Sequence, residues 1–281
     1  MLKVTYFGTT TLLFDDGKDQ ILFDAHITRP SLDRYVRGAR AGTNRQLCDE
    51  LIRLHKIERL RAIFISHTHH DHVMDAPYIA NKCGAKIYGS ESAGNVALGG
   101  GIPGENIEVF KHGDSFTVGN YRIRILDSIH SKPTALNNDL GQPIIKPLSQ
   151  PAGLREYKEG GSYDFYVEYG QKKIMIRPSF NYIEGQLDDI RAEIIFLGVA
   201  GLAKADTDME KKFFAETVEK TGAKLVIPIH WDNFFSPLDR PIKGMPHVVE
   251  NTGVVFFKAA KYCEAHGVNF LIQYPRTSIE I

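Results

Sequence analysis

The chain opens on apolar and polar residues that alternate with the period of a pleated strand. LKVTYFG, TTLLFDD and QILFDAH form three short β-rich runs, with Asp15, Asp16 and Gly17 as turn residues between the second and third. The period then lengthens. Leu47, Leu51 and Leu54 recur at helical spacing, and TNRQ fits a capping box that starts a helix at Thr43 with Gln46 at its third position. LRAIFIS is an uninterrupted apolar run, read as a buried strand. A helical pattern follows from Asp71 to Lys82, Gly84 suits the residue beyond its end, and AKIYG returns as a strand. IEVFKH, DSFTV and YRIRILDS, divided by HGD and GN turns, predict hairpins stacked beside the first sheet. Beyond an irregular stretch at about 131–161, SYDFYVEYG and KKIMI predict a hairpin around Gly170 and AEIIFLGVA a buried strand. DMEKKFFAETVEKTG reads as an amphipathic helix stopped by Gly222. KLVIPIH is another apolar strand, and a helix from Val254 to Ala265 with a strand at VNFLIQY completes the pattern.

Each half thus passes from β-hairpins to strand, helix and strand, and no Pro-, Gly- or charge-rich linker divides them. The order predicts one α/β domain over residues 1–281, with two sheets face to face and helices outside. The insertion at about 131–161 is long enough to be a flexible excursion or a lid, and substrate choice is expected to reside there.

Composition narrows the partners. The 34 basic and 34 acidic residues cancel, so neither nucleic acid nor an anionic membrane is called for, and a small-molecule substrate is expected. No apolar run approaches the roughly 20 residues that span a bilayer. MLKVTYFG enters a strand without the marks of a secretory leader, which favours a cytoplasmic location. Cys48, Cys83 and Cys263 are widely spaced, odd in number and form no CxxC pair, so they read as reduced thiols.

Residues 66–72 read SHTHHDH, which gathers four of the eleven histidines after an apolar strand. Side chains two apart on a strand face the same way, so His67 and His69 can offer imidazoles to one point. Asp71 and His72 fall at the start of the next helix and can face a second point nearby. Imidazole and carboxylate without thiolate suit zinc and are acceptable to iron, manganese or cobalt.

SHTHHDH resembles the HxHxDH signature of the metallo-β-lactamase superfamily, and the order of elements is similar to that family's four-layer αββα sandwich of two mixed sheets over nearly the whole chain. The resemblance implies that His130 in ILDSIHS joins His67 and His69 around one metal. It also implies that His230 in VIPIHW joins Asp71 and His72 around another. The family's bridging aspartate follows a strand like KKIMI, but here RPSFN places Ser179 there, and a neutral hydroxyl is a far poorer ligand than a carboxylate. RPSF, FLGVAGLAK and PIHWDNFFSPL look like a bacterial branch of hydrolase-like members distinct from the lactamases, glyoxalases and RNA nucleases. Asp24 in ILFDAH matches the family aspartate that orients a ligand from behind, and Asp232 lies close enough to His230 to act as a ligand or a supporting acceptor. His26 matches no family position.

The activity implied is that of a metal-dependent hydrolase using one or two ions, zinc first with iron or manganese also acceptable, on an ester, lactone, amide or phosphodiester. Asp71 would be general base or proton shuttle in a one-metal centre. Two alternatives stay open: a mononuclear iron oxidoreductase of the same fold, and a binding scaffold whose catalytic site has decayed. Arg29, Arg34, Arg37, Arg40 and Arg45 could clamp an anionic substrate, although a solvated loop is the simpler reading. GGGIPGEN lacks the ending of a phosphate loop and reads as a turn between helix and strand. Trp231, Phe234 and Phe235 could wall the metal site or pack in the core.

Overall fold

Neighbouring residues of one strand feed two different cores. Ile21, Phe23, Ala62 and Phe64 enter one apolar cluster, whereas Leu22, Ile63 and Ile65 enter another. Strands that are apolar at every position are therefore buried on both faces, which places a sheet between two further layers.

The computed structural model describes residues 1–133 and 138–281. Its N-terminal half contains β1 (Lys3–Gly8), β2 (Thr11–Asp15), β3 (Gln20–Phe23), α1 (Leu32–Val36), β4 (Arg40–Ala41), α2 (Arg45–Leu54), β5 (Leu60–Phe64), α3 (His70–Val73), α4 (Ala76–Cys83), β6 (Lys86–Gly89), α5 (Glu91–Gly99) and β7 (Ile107–Val109). The remainder contains β8 (Ser115–Val118), β9 (Tyr121–Ser128), β10 (Ala152–Gly153), β11 (Ser162–Tyr169), β12 (Lys172–Arg177), β13 (Ile194–Gly198), α6 (Thr207–Phe214), β14 (Leu225–Ile229), α7 (Thr252–Ala265), β15 (Asn269–Phe270) and β16 (Thr277–Glu280).

One sheet has the order β16-β1-β2-β3-β5-β6-β7 and the other β15-β14-β13-β12-β11-β9-β8. Both are mixed: β3, β5, β6 and β7 run parallel, as do β12 to β15, and the rest pair antiparallel. The sheets meet through aromatic side chains, with ring centroids of Phe14 and Phe196 5.9 Å apart and those of Phe23 and Phe165 5.2 Å apart. Each phenyl buried at this seam contributes roughly 1.5–3 kcal/mol. Cys48, Leu51, Ile79, Ala80, Val96 and Ala97 cover the outer face of the first sheet from α2, α4 and α5. Phe213, Phe214, Val255, Ala259 and Cys263 join the other core from α6 and α7. The result is the αββα sandwich. Among the described residues no helix is long and apolar enough to cross a membrane.

Four local expectations change. The N-cap of α2 is Asn44, one residue later than Thr43, because Asn44 Oδ1 accepts from Leu47 N at 3.1 Å while the Thr43 hydroxyl donates to Met74 O. The helix expected over Asp71–Lys82 is two helices, since Pro77 has no N–H to give and fits only in a first turn. At the break, Asp75 accepts from Ile27 N and Thr28 N at 2.7 and 2.8 Å. The runs IEVFKH and DSFTV do not pair with each other: β7 pairs parallel with β6, and β8 pairs with β9 in the other sheet. Finally, β16 adds an edge strand against β1 that the largely exposed TSIE pattern does not announce. In the stretch 131–161, residues 134–137 lie outside the described residues, and β10 pairs antiparallel with β4.

Candidate metal centre

The C-terminal ends of five strands converge on one edge of the sandwich. Asp24 follows β3, the His67–His69 loop and α3 follow β5, His130 follows β9, Ser179 follows β12 and His230 follows β14. Their side chains gather into two adjoining triads. Ligand atoms of His67, His69 and His130 all lie within 4.8 Å of one another, and so do those of Asp71, His72 and His230. The rings of His67 and His72, one from each triad, have centroids 3.7 Å apart.

Hydrogen bonds engage one ring nitrogen in each of His72, His67 and His130. His72 Nδ1 lies 2.8 Å from Asp24 Oδ2, and Asp24 also accepts from Ser66 N at 2.7 Å, Ser66 Oγ at 2.7 Å and Thr10 Oγ1 at 2.5 Å. His67 Nδ1 lies 3.2 Å from Ser66 Oγ, and His130 Nδ1 donates to Ser131 O at 2.9 Å. The Nε2 atoms of His67 and His72 are buried with no hydrogen-bond partner among the described residues. Such orphaned acceptors cost about 1–3 kcal/mol each unless something binds them, and five imidazoles with one carboxylate are a donor set that fits a divalent cation. In the other triad, His72 Nε2 and His230 Nε2 lie 3.6 and 3.5 Å from Asp71 Oδ2.

The electrostatics favour neutral imidazoles at His67 and His130 and an ionised carboxylate at Asp71. Burial, reinforced by His72, His130 and His69, drives His67 well below the ordinary imidazole range, and burial beside His69 pushes His130 down to about 4. Burial alone would raise Asp71, but His72 and the hydrogen bond from His230 outweigh it and hold the carboxyl well below its usual range. His230 moves up, because Asp71 overcomes the opposing effect of burial.

Above the triads lies a cavity of about 610 Å³, lined by His67, His69, Asp71, His130, Ser179 and His230 together with Tyr35, Phe180, Phe234 and Phe235. Phe234 and Phe235 therefore wall the site, whereas Trp231 packs against Phe256 at 5.2 Å. His26 is buried behind His70, at a ring separation of 5.8 Å, with Nε2 3.0 Å from Phe234 O. Asp232 pairs with Arg29, whose Nη1 lies 2.8 Å away, and Tyr6 Oη and Thr9 N donate to it at 2.9 and 2.7 Å. Arg29 thus leaves the solvated set, while Arg34, Arg37, Arg40 and Arg45 are exposed. GGGIPGEN is the turn from α5 to β7.

Two residues near the triads escaped the sequence reading. Asp139 Oδ1 lies 3.0 Å from His69 Nε2, and Glu159 is a buried acceptor in the segment that carries it. NDLG marks Asp139 as a turn residue, but nothing local says which ligand it reaches.

The model of the β-lactamase superfamily domain matches residues 19–231. The chain belongs to the metallo-β-lactamase superfamily. Within it, the chain is 28% identical over 217 residues to a protein of Chloroflexus aurantiacus described as a UPF0173 metal-dependent hydrolase, covering 74% of this chain and 79% of that one. A Myxococcus xanthus protein of the same description is 35% identical over 182 residues, covering 63% of this chain and 57% of its own length. Among solved structures, Igni18, a metallo hydrolase from Ignicoccus hospitalis, superposes with a TM-score of 0.60 at 16% identity, covering 100% of this chain and 99% of that one. At that identity the likeness speaks for the superfamily fold alone.

Proposed function

We propose that this protein is a metal-dependent hydrolase, with zinc as its metal, acting on an ester, lactone, amide or phosphodiester bond of a small molecule held in the cavity. The observation that carries this reading is the pair of complete triads at the cavity floor. The Chloroflexus and Myxococcus relatives, described as metal-dependent hydrolases, support the reaction class. His67, His69 and His130 would hold one ion, and Asp71, His72 and His230 the other. When bound, the metal supplies ionisation of water near pH ~7 and polarisation of the electrophile.

The chain's own groups do the rest. Asp24 fixes His72 with Nε2 toward the site. Asp71 would be a ligand in a two-metal centre, and in a one-metal centre its carboxylate would be the group able to take a proton from water. Tyr35, Phe234 and Phe235 shield the reacting bond from bulk solvent. Ser179 favours unequal occupancy of the two sites, because it brings no charge to share between them.

The test is metal content by plasma mass spectrometry on protein purified without chelator, paired with a panel of the four bond classes assayed before and after chelation. Bound zinc with hydrolysis that chelator abolishes and zinc restores is expected. A folded protein that binds no metal, or a metal-loaded one inert across the panel, would overturn the proposal.

A further inference from the structure

Asp139 reaches His69 from the irregular segment, and that segment is built to hold it there. Residues Asp139 to Gln142 form a turn closed by Gln142 N donating to Asp139 O at 2.9 Å, with Gly141 in the left-handed region at φ 72. Glu159, 5% exposed, clamps the turn: Oε2 accepts from Gly141 N at 2.8 Å and from Gly161 N at 3.2 Å, while Oε1 accepts from Ser162 Oγ at 2.5 Å. Gly160 N also donates to Gln142 O at 3.0 Å. The far end of the segment is fastened to the ligand loop itself, since Thr68, between His67 and His69, donates from N to Glu159 O at 2.9 Å and from Oγ1 to Lys158 O at 2.5 Å. Gly160 leaves room for this contact, because a Cβ there would meet Thr68 Oγ1 and Ser92.

A carboxylate behind a ligand histidine fixes its tautomer and raises its basicity. Asp24 stands so behind His72, through Nδ1. Asp139 stands so behind His69, through Nε2. We propose that the segment 138–161 completes the first metal site, with Asp139 as the positioning residue that accepts His69 Nε2–H and leaves Nδ1 as that histidine's metal donor. The inference rests on the metal-binding reading above. It makes docking of the segment and metal affinity at His67, His69 and His130 one linked equilibrium, while the Asp71, His72 and His230 site, supported by Asp24, is independent of it. The same segment lines the cavity with Leu154, Tyr157 and Lys158, so it serves both the ligand set and the substrate space.

The experiment is zinc titration against a chromophoric chelator for wild type, Asp139→Ala and Asp139→Glu, with His67→Ala and His72→Ala marking which affinity belongs to which triad. Long-range proton–nitrogen NMR of the metal-free proteins reads the His69 tautomer. Asp139→Ala should weaken only the affinity that His67→Ala abolishes, by about 10–100-fold. Asp139→Glu should recover part of it, and Glu159→Gln should weaken the same site. Metal-free wild type should show His69 protonated at Nε2, a preference lost in Asp139→Ala. Unchanged zinc affinity in Asp139→Ala, or His69 protonated at Nδ1 in wild type, would overturn the assignment of Asp139 while leaving the hydrolase reading intact. Wild type that takes up no zinc would overturn both.

Discussion

Arg29 and Asp232 form an ion pair at 2.8 Å with both side chains wholly buried, beneath the metal edge of the sandwich. Gly8, at φ 95, lets them meet, because a Cβ there would strike both side chains. A buried pair is weak evidence for net stability, yet removing one partner leaves a buried charge without compensation. Asp232→Asn should therefore cost about 3–5 kcal/mol in urea unfolding. Metal content at temperatures where the variant is folded should stay that of wild type. Loss of an equivalent from the folded variant would make Asp232 a participant in the metal site after all.

Ser179 lines the cavity together with His67, His69, Asp71, His130 and His230. Ser179→Asp adds a charged oxygen donor at that point and should raise affinity for the more weakly held ion by an order of magnitude or more. The same chelator titration reads it. If stoichiometry and affinity do not move, position 179 is too far from the metals to matter.

The turn that carries Ser179 is braced by close backbone contact. Gly198, at the end of β13, faces the backbone of Pro178 so closely that a Cβ would collide with its carbonyl. Backbone cannot swing aside as a flexible side chain can. Gly198→Ala should thus destabilise by about 1–3 kcal/mol, the usual cost of overpacking, and displace Ser179. A thermal midpoint equal to that of wild type would show that the turn has slack.

The layers of the sandwich and the cluster at 66–72 were legible in the sequence for physical reasons, whereas His130 and His230 were implied only by the resemblance to the superfamily. Apolar strands such as LRAIFIS and KLVIPIH announce burial, and ligands at strand ends follow from where a rigid sheet can present polar groups. Contacts that depend on three-dimensional return of the chain were not legible. Arg29 reads as one more charge in a basic stretch until Asp232 arrives from far along the chain, and Asp139 is an ordinary turn residue until Glu159 folds its turn against Thr68. The edge strand β16 escaped because an edge exposes its side chains and so loses the period-two signature. The break between α3 and α4 was written in Pro77, but the apolar spacing across it spoke louder.

Metal should also report on folding itself. The ligands come from three widely separated parts of the chain and converge only in the native state, so bound ions would stabilise the folded form by mass action. At a free zinc concentration of ~100 times Kd each site contributes about 2.7 kcal/mol. For a chain of this size that corresponds to a thermal midpoint roughly 5–10 °C higher with zinc than with chelator. SHTHHDH works against the full effect, because its histidines are close in sequence and keep some affinity for zinc in the unfolded chain. His230→Ala separates the two contributions: it leaves the heptapeptide untouched but removes a ligand that only folding supplies. The chelator-induced drop should shrink in that variant by the share of the second site, while His67→Ala should remove the share of the first. Equal midpoints with zinc and with chelator in wild type would mean that the triads hold no ion tightly enough to matter.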